Sequence, residues 1–409
     1  MTTTASAGGT AQPSRENLRI AVLAMLTAFG PMSIDMYLPA LPSIARDLGV
    51  AVADAQLTLS AFFFGFGAAQ LVYGPLADRF GRIRPLVGGL VLFTLASLGC
   101  ALAHSLGSLI AFRFLQALGG SAGPVLARAI VRDLYDRDRA AHVLSLMVLI
   151  MSIAPLFAPL VGGQLLVLWS WRAIFLLLVG FGLLCIAATW GAVGETLHHQ
   201  RRRGGPVLSM LLSYGVPLSS RRYIGYAVSG ALIYGGLFAY LTGTPYVFIT
   251  LYGVRPEHYG LLFGLNVIGI ILAALLNRRI VLRYGVDRLL AAGILVAAIA
   301  GVALAVVAAT KWGGLTALLV PMFFFLASLG MVGANSMAGC LGLFPERAGV
   351  ASALAGTLQF GMGAVSGTLI SVLADGTALP MAGTMGAVGV LSLAVQRWLA
   401  PAKASAAGH

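Results

Sequence analysis

One carboxylate lies where an apolar helix would ordinarily hold none. Asp35 sits in the stretch GPMSIDMYLPALP, residues 30–42, and an Asp near the centre of a membrane-spanning helix costs about 2.5–3.5 kcal/mol on insertion scales. Most of the other twelve acidic residues fall in loops or at helix ends, Asp375 among them. Among the cations, Arg113 is the one well inside an apolar segment, with Arg128 nearer the end of the same segment. Opposite charges in hydrocarbon are expected to face the bundle interior and to find each other or a watery cavity. Counting from the segment ends that face away from the termini, Asp35 and Arg113 both lie roughly 8–9 Å down at ~1.5 Å per residue. Two such groups can share a level. They then form either a static ion pair that fixes helix packing, or a titrating pair whose proton occupancy changes when motion separates them or a cation enters. Pro31 and Pro39, four residues to either side of Asp35, predict a bent helix with freed carbonyls. Gln116 and Gly120 share the helical face of Arg113.

A second constellation is YGPLADRFGRIRPL, residues 73–86. Gly74 and Gly81 allow a tight turn and close approach. Asp78 can meet the positive end of a neighbouring helix or the Arg82 side chain, beside Arg79, and Asp133 is a further partner for Arg82. Softer candidates are side chains able to line a cavity: Tyr37, Tyr234, Phe238, Tyr240, Asn266, Asn335 and Gln359. Each of the polar ones is as well suited to a hydrogen bond between helices. Tyr234 and Phe238, at i and i+4, share a face suited to stacking on an aromatic ligand. Cys100, Cys185 and Cys340 lie far apart in apolar segments and read as small core residues. No histidine pair has metal-ligand spacing within a span, no phosphate-binding glycine loop occurs, and no reactive cluster of an enzyme stands out. No metal, no cofactor and no catalytic residue are expected.

The elements that carry these groups follow from composition. The chain of 409 residues is 59% hydrophobic and 10% charged, with mean hydropathy +0.93, whereas soluble domains are about a quarter charged. Apolar blocks long enough to cross a ~30 Å core recur throughout and do not alternate as barrel strands do. Twelve spans are predicted: 19–40, 54–76, 84–103, 107–131, 140–166, 172–193, 222–249, 257–278, 287–309, 314–342, 349–373 and 378–399. An even number puts both termini on one side, and the first helix is expected to be retained rather than cleaved as a signal. Of 26 basic residues, twenty fall on the face carrying the termini and four (Arg46, Arg172, Arg255 and Lys311) on the other. That makes the terminal face cytoplasmic and accounts for the net charge of +13 without nucleic acid. A polar stretch at 194–221 separates a bundle at 19–193 from another at 222–399, with tails at 1–18 and 400–409. RFGRIRPL at 79–86 aligns with RYGVDRLL at 283–290, in the equivalent loop of each half, which points to an internal repeat. The fold class expected is an all-α integral membrane protein of two pseudo-symmetric six-helix bundles.

GPLADRFGR at 74–82 resembles the signature of the major facilitator superfamily, G-x-L-x-D-R-x-G-R, in the loop where that family carries it. The basic residue usual after Arg82 is displaced by Ile83 to Arg84. RFLQALGG at 113–120 resembles the family's fourth-helix motif, whose Arg is linked to proton transfer. SIAPLFAPLVGG at 152–163 resembles the fifth-helix motif of antiporters, with Ala158 where Gly usually precedes Pro159. Together with SIDMYLPALP at 33–42, the chain is most similar to the Bcr/CflA branch of drug:proton antiporters, bacterial inner-membrane exporters of bicyclomycin, chloramphenicol and other small drugs. The resemblance implies that Asp35 is the acid of a substrate and proton site with Arg113 its partner. It also implies that Asp78, Arg79 and Arg82 clasp the halves on the cytoplasmic side, and that Pro155, Pro159, Gly162 and Gly163 allow close helix packing. A monomer exchanging protons for a small amphipathic drug is the expectation. The alternative is an exporter or proton symporter of one metabolite such as a nucleoside, amino acid or sugar.

Overall fold

A computed structural model describes residues 12–197 and 213–399. Both tails and most of the 194–221 connection lie outside the described residues. Among the described residues, twelve helices are long and apolar enough to cross a membrane. They are α1 (Glu16–Asp47), α2 (Val52–Phe80), α3 (Ile83–Ala101), α4 (Leu106–Leu134), α5 (Asp138–Leu168), α6 (Trp171–Ala192), α7 (Arg221–Leu251), α8 (Pro256–Tyr284), α9 (Val286–Thr310), α10 (Gly314–Leu343), α11 (Pro345–Val372) and α12 (Leu379–Leu399). In lipid each backbone group must be satisfied within its own segment, which selects the helix. Large apolar side chains such as Leu95, Leu183, Ile299 and Leu391 are exposed, as lipid-facing residues should be.

The halves repeat one packing plan. α2 lies on α4 and α3 on α6 in the first half, as α8 lies on α10 and α9 on α12 in the second. The repeat seen in the sequence is a shared turn: Gly81 and Gly285 both end a helix at positive φ, +89° and +81°, a conformation that glycine adopts without penalty. Gly74 is not part of that turn. It lies within α2, with open space where a Cβ would be.

The halves meet along α2–α11 and α5–α8, where small residues let backbones approach. Gly67 faces Phe360, and Gly260 faces the backbone of Leu160. Side-chain hydrogen bonds join the halves at mid-membrane, where Thr357 Oγ1 donates to the Gly67 carbonyl (2.9 Å), and toward the end away from the termini, where Gln56 Nε2 donates to the Thr242 carbonyl (3.0 Å) and Ser371 Oγ to the Ala53 carbonyl (2.6 Å).

α1 is broken rather than merely bent. Helix runs over Phe29–Asp35, a 3-10 turn over Leu38–Ala40, and helix again over Leu41–Asp47. It therefore continues past the expected end at residue 40, and Asp35 lies twelve residues before its end, nearer mid-membrane than the count from 40 suggested. Pro155 and Pro159 are accommodated inside the fifth helix. Beyond them, a Cβ on Gly162 would come 2.0 Å from the Met36 carbonyl of α1, and one on Gly163 2.7 Å from the Pro256 carbonyl of α8. Gly162→Val should therefore cost about 1–3 kcal/mol as an overpacked contact, read as a lower Tm in detergent. Gly180→Ala, where nothing lies within 4 Å, should leave the Tm unchanged or slightly raised. Equal Tm for the two variants would contradict this packing.

Candidate substrate and proton site

Pro39 has no N–H to offer the Asp35 carbonyl, and the Tyr37 N–H bonds Ile34 in a tight turn (3.2 Å) instead of continuing the α-helix to Ser33. The Ser33 carbonyl is thereby freed, and Arg113 Nη1 donates to it at 3.0 Å. The same nitrogen donates to Gln116 Oε1 (2.6 Å), and Gln116 Nε2 donates on to Ser97 Oγ (2.8 Å). The guanidinium lies over the rings of Phe62, Tyr37 and Phe175, at 4.3, 4.5 and 5.8 Å. Tyr37 is anchored to Thr58 Oγ1 (2.7 Å). Arg113, Tyr37 and Gln116 are all fully buried, so Tyr37 and Gln116 wall in the arginine and do not line an open cavity.

Asp35 and Arg113 do not form the ion pair that their depths suggested. Ser33 and Asp35 are about 200° apart around a helix, so the face that offers its carbonyl to Arg113 is nearly opposite the one carrying the carboxylate. Asp35 lies within electrostatic reach of the Tyr240 and Tyr259 phenols of the second half and is 5% exposed. It makes no hydrogen bond or ion pair among the described residues. Asn266 Nδ2 donates to the Tyr240 hydroxyl (3.2 Å), and the Tyr259 hydroxyl bonds Thr244 Oγ1 (2.8 Å), itself 2.8 Å from the Tyr240 carbonyl. Phe263 packs between the two tyrosine rings, at 5.6 and 6.0 Å. A buried acid therefore lies in the electrostatic range of two fixed phenols on an aromatic wall of the other half. Tyr259 and Thr244 were not legible in the sequence. Tyr259, three residues into its helix, reads there as an interfacial anchor.

The remaining cavity candidates divide. Phe238 is buried against Phe63 (4.4 Å) and Phe360 (5.1 Å) and so seals the halves. Asn335 is spent on Asn277 (2.7 Å). Tyr234, beside Gly333, and Gln359 are only half-buried and remain able to meet a ligand.

The 74–82 segment is the last part of α2 and the turn after it rather than a loop, and there Arg82 joins Asp133 (2.7 Å) and Asp78 (2.8 Å). Burial opposes its charge, but the two carboxylates outweigh that and raise its pKa above the ordinary arginine value. Glu195 accepts from the Arg82 backbone N–H (2.9 Å), capping α3. Arg82, Asp78 and Asp133 belong to the first half and Glu195 to the connection that follows it, so these bonds do not reach the second half. Arg79 is exposed and lies over Phe80.

Twelve spans in two like halves, with a polar site at their junction, define a membrane transporter. The chain belongs to the Major Facilitator Superfamily, which residues 23–368 match. It is 36% identical to the uncharacterised MFS-type transporter YdgK of Bacillus subtilis, over 91% of this chain and 92% of that one. It is 33% identical to a bicyclomycin resistance protein homologue of Haemophilus influenzae, over 92% and 94% of the two chains. The fold is also that of a bacterial homologue of the human lysosomal transporter Spinster (TM-score 0.72, 17% identity, 94% and 96% of the two chains).

Arg113 Nε and Nη2 are buried without hydrogen-bond partners, and the charge is met by two oxygens and three rings. Arg113→Met removes the donor to the buried Ser33 carbonyl and to Gln116 Oε1, and a buried acceptor left unsatisfied costs about 1–3 kcal/mol. Arg113→Met should therefore lower the Tm in detergent, as should Gln116→Leu, which takes the shared partner from Arg113 and Ser97. An unchanged or raised Tm in Arg113→Met would refute this.

Proposed function

We propose that this chain is a proton-driven exporter of small amphipathic drugs in the bacterial inner membrane, working by alternating access with both termini cytoplasmic. The observation that carries the reading is Asp35: a buried carboxylate without an ion-pair partner among the described residues, within electrostatic reach of two tyrosines of the other half. The drug-resistance name of its Haemophilus relative supports the substrate class, and the excess of basic residues on the terminal face supports the orientation.

In the conformation closed on the outer face, a proton or a cationic drug is what lets Asp35 remain between apolar surfaces. A proton taken from the outer face displaces the drug there and allows the halves to close. On the cytoplasmic face the proton leaves as new drug arrives. Arg113 acts through the backbone, because its grip on the Ser33 carbonyl fixes the broken turn from which Asp35 projects. When the cytoplasmic ends close, Asp78, Arg79 and Arg82 reach the second half.

Efflux driven by a proton gradient in inverted vesicles tests this. Asp35→Asn should lower drug transport to the level of vesicles lacking the protein, with Asp35→Glu partly active. Undiminished proton-coupled efflux by Asp35→Asn would sink the proposal. Transport of a labelled nucleoside, amino acid or sugar without drug transport would favour a metabolite carrier instead.

A further inference from the structure

Four arginines at the terminal-face corner of α8 and α9 have no neutralising partner among the described residues. Arg278, Arg279 and Arg283 occupy the last two turns of α8 and Arg288 the first turn of α9, and all are exposed. None makes an ion pair or a side-chain hydrogen bond among the described residues, and Arg283 lies only over the Tyr284 ring (5.5 Å). The one carboxylate in this stretch, Asp287, is already taken by Arg222 (3.2 Å) and the Tyr226 hydroxyl. The corresponding corner of the first half is balanced instead, with Asp78, Asp133 and Glu195 set among Arg79, Arg82 and Arg84. Topology asks for basic residues on this face, but not for their being left unpaired at one corner.

The same corner exposes apolar surface. Gly260 and Gly264 pack α8 on Leu160 and Leu156 of α5. Leu275, Arg278 and Leu282 continue that face of α8 toward the terminal face, at helical spacing, yet Leu275 is 52% exposed and Leu282 97%. On α5, Leu149 lies seven residues before Leu156, on the matching face, and is 53% exposed. The two helices therefore pack toward the end away from the termini and part toward the terminal face. An apolar cleft is left between them, with arginines at its mouth. Leu272 and Leu276, also exposed, carry the apolar surface of α8 on from the cleft to its lipid-facing side, so the cleft is reached from the bilayer.

We propose that this corner binds one anionic phospholipid, its phosphate on Arg278, Arg279 and Arg283 and an acyl chain in the cleft between α5 and α8. Arginine grips phosphate oxygens through paired, charge-assisted hydrogen bonds, and basic clusters directly at the end of a spanning helix attract anionic lipid. The three arginines fall within an arc of about 140° around α8. Leu282 lies inside that arc, and its exposed side chain suits the upper part of a lipid tail rather than water. A soluble acidic partner would answer the arginines and leave Leu149 and Leu275 bare. A neutral lipid would cover the leucines and leave the charges unanswered.

Native mass spectrometry of the purified full-length protein in detergent tests this, with phosphatidylglycerol and phosphatidylcholine of identical chains as probes. The first phosphatidylglycerol should bind about tenfold more tightly or better than phosphatidylcholine, as three arginines near one phosphate imply. The combined variant Arg278→Gln, Arg279→Gln, Arg283→Gln, which breaks no bond within the protein, should lose that preference. Arg347→Gln with Arg397→Gln, which removes two exposed cations elsewhere on the same face, should keep it. Glycerol phosphate, a headgroup without chains, should not compete at equal concentration. In the unaltered protein, phosphatidylglycerol with a photoreactive group midway along one chain should label α5 near Leu149 and α8 near Leu275. Equal binding of the two lipids, an undiminished preference in the triple variant, or an equal loss in the Arg347 and Arg397 variant would each overturn the proposal. So would competition by glycerol phosphate or labelling confined to other helices. The test reads lipid binding alone and stands whether or not drug transport does.

Discussion

The freed carbonyl of Ser33 is the constraint on which the central site depends. A straight α1 would spend that group on its own helix and leave Arg113 with Gln116 alone. The tight turn at Tyr37, whose N–H bonds Ile34 instead, releases it. The guanidinium then fastens the broken segment to α4, while three aromatic rings shield the charge. Because the bond is to backbone, it fixes where the helix turns without using the carboxylate two residues on. Asp35 is thus held in place by a cation it does not touch.

This separation has a mechanistic consequence. A buried carboxylate locked to a guanidinium is costly to free, since each group is left desolvated when the pair opens. A carboxylate within electrostatic reach of phenols can exchange a proton or a cation without leaving a bare charge behind. The hydroxyls of Tyr240 and Tyr259, tied to Asn266 and Thr244, present dipoles that accommodate either form. The halves meet there through glycines and aromatic rings, contacts that can part and re-form as packed surfaces.

The 74–82 segment works by the same economy. Arg82 is held within the first half by Asp78 and Asp133, so the clasp is preassembled before it meets the second half. Its repeat counterpart retains the positive-φ glycine, but a different ion pair, Arg222 with Asp287 (3.2 Å), stands at that corner. The backbone turn is symmetric and the electrostatics are not.

Much of this was legible in the chain itself. Twelve spans, their division into halves and the Gly81–Gly285 repeat follow from hydropathy and spacing, because a lipid-embedded segment must be apolar and long enough whatever it packs against. The lone acid and the lone deep arginine were equally visible, as was Arg82 with Asp133. What composition cannot encode is which way a side chain faces across a broken helix. Counting residues matched Asp35 to Arg113 in depth, yet a turn of about 200° sends them to opposite sides. Gln116 and Tyr37 read as cavity residues and are walls of the arginine pocket, and Tyr259 and Thr244 became part of the site only through a neighbour more than 200 residues away. Covalent sequence determines local apolarity and where the backbone must break. The azimuth of each polar group, and so its partner, is decided only when twelve helices pack and each buried donor finds an acceptor.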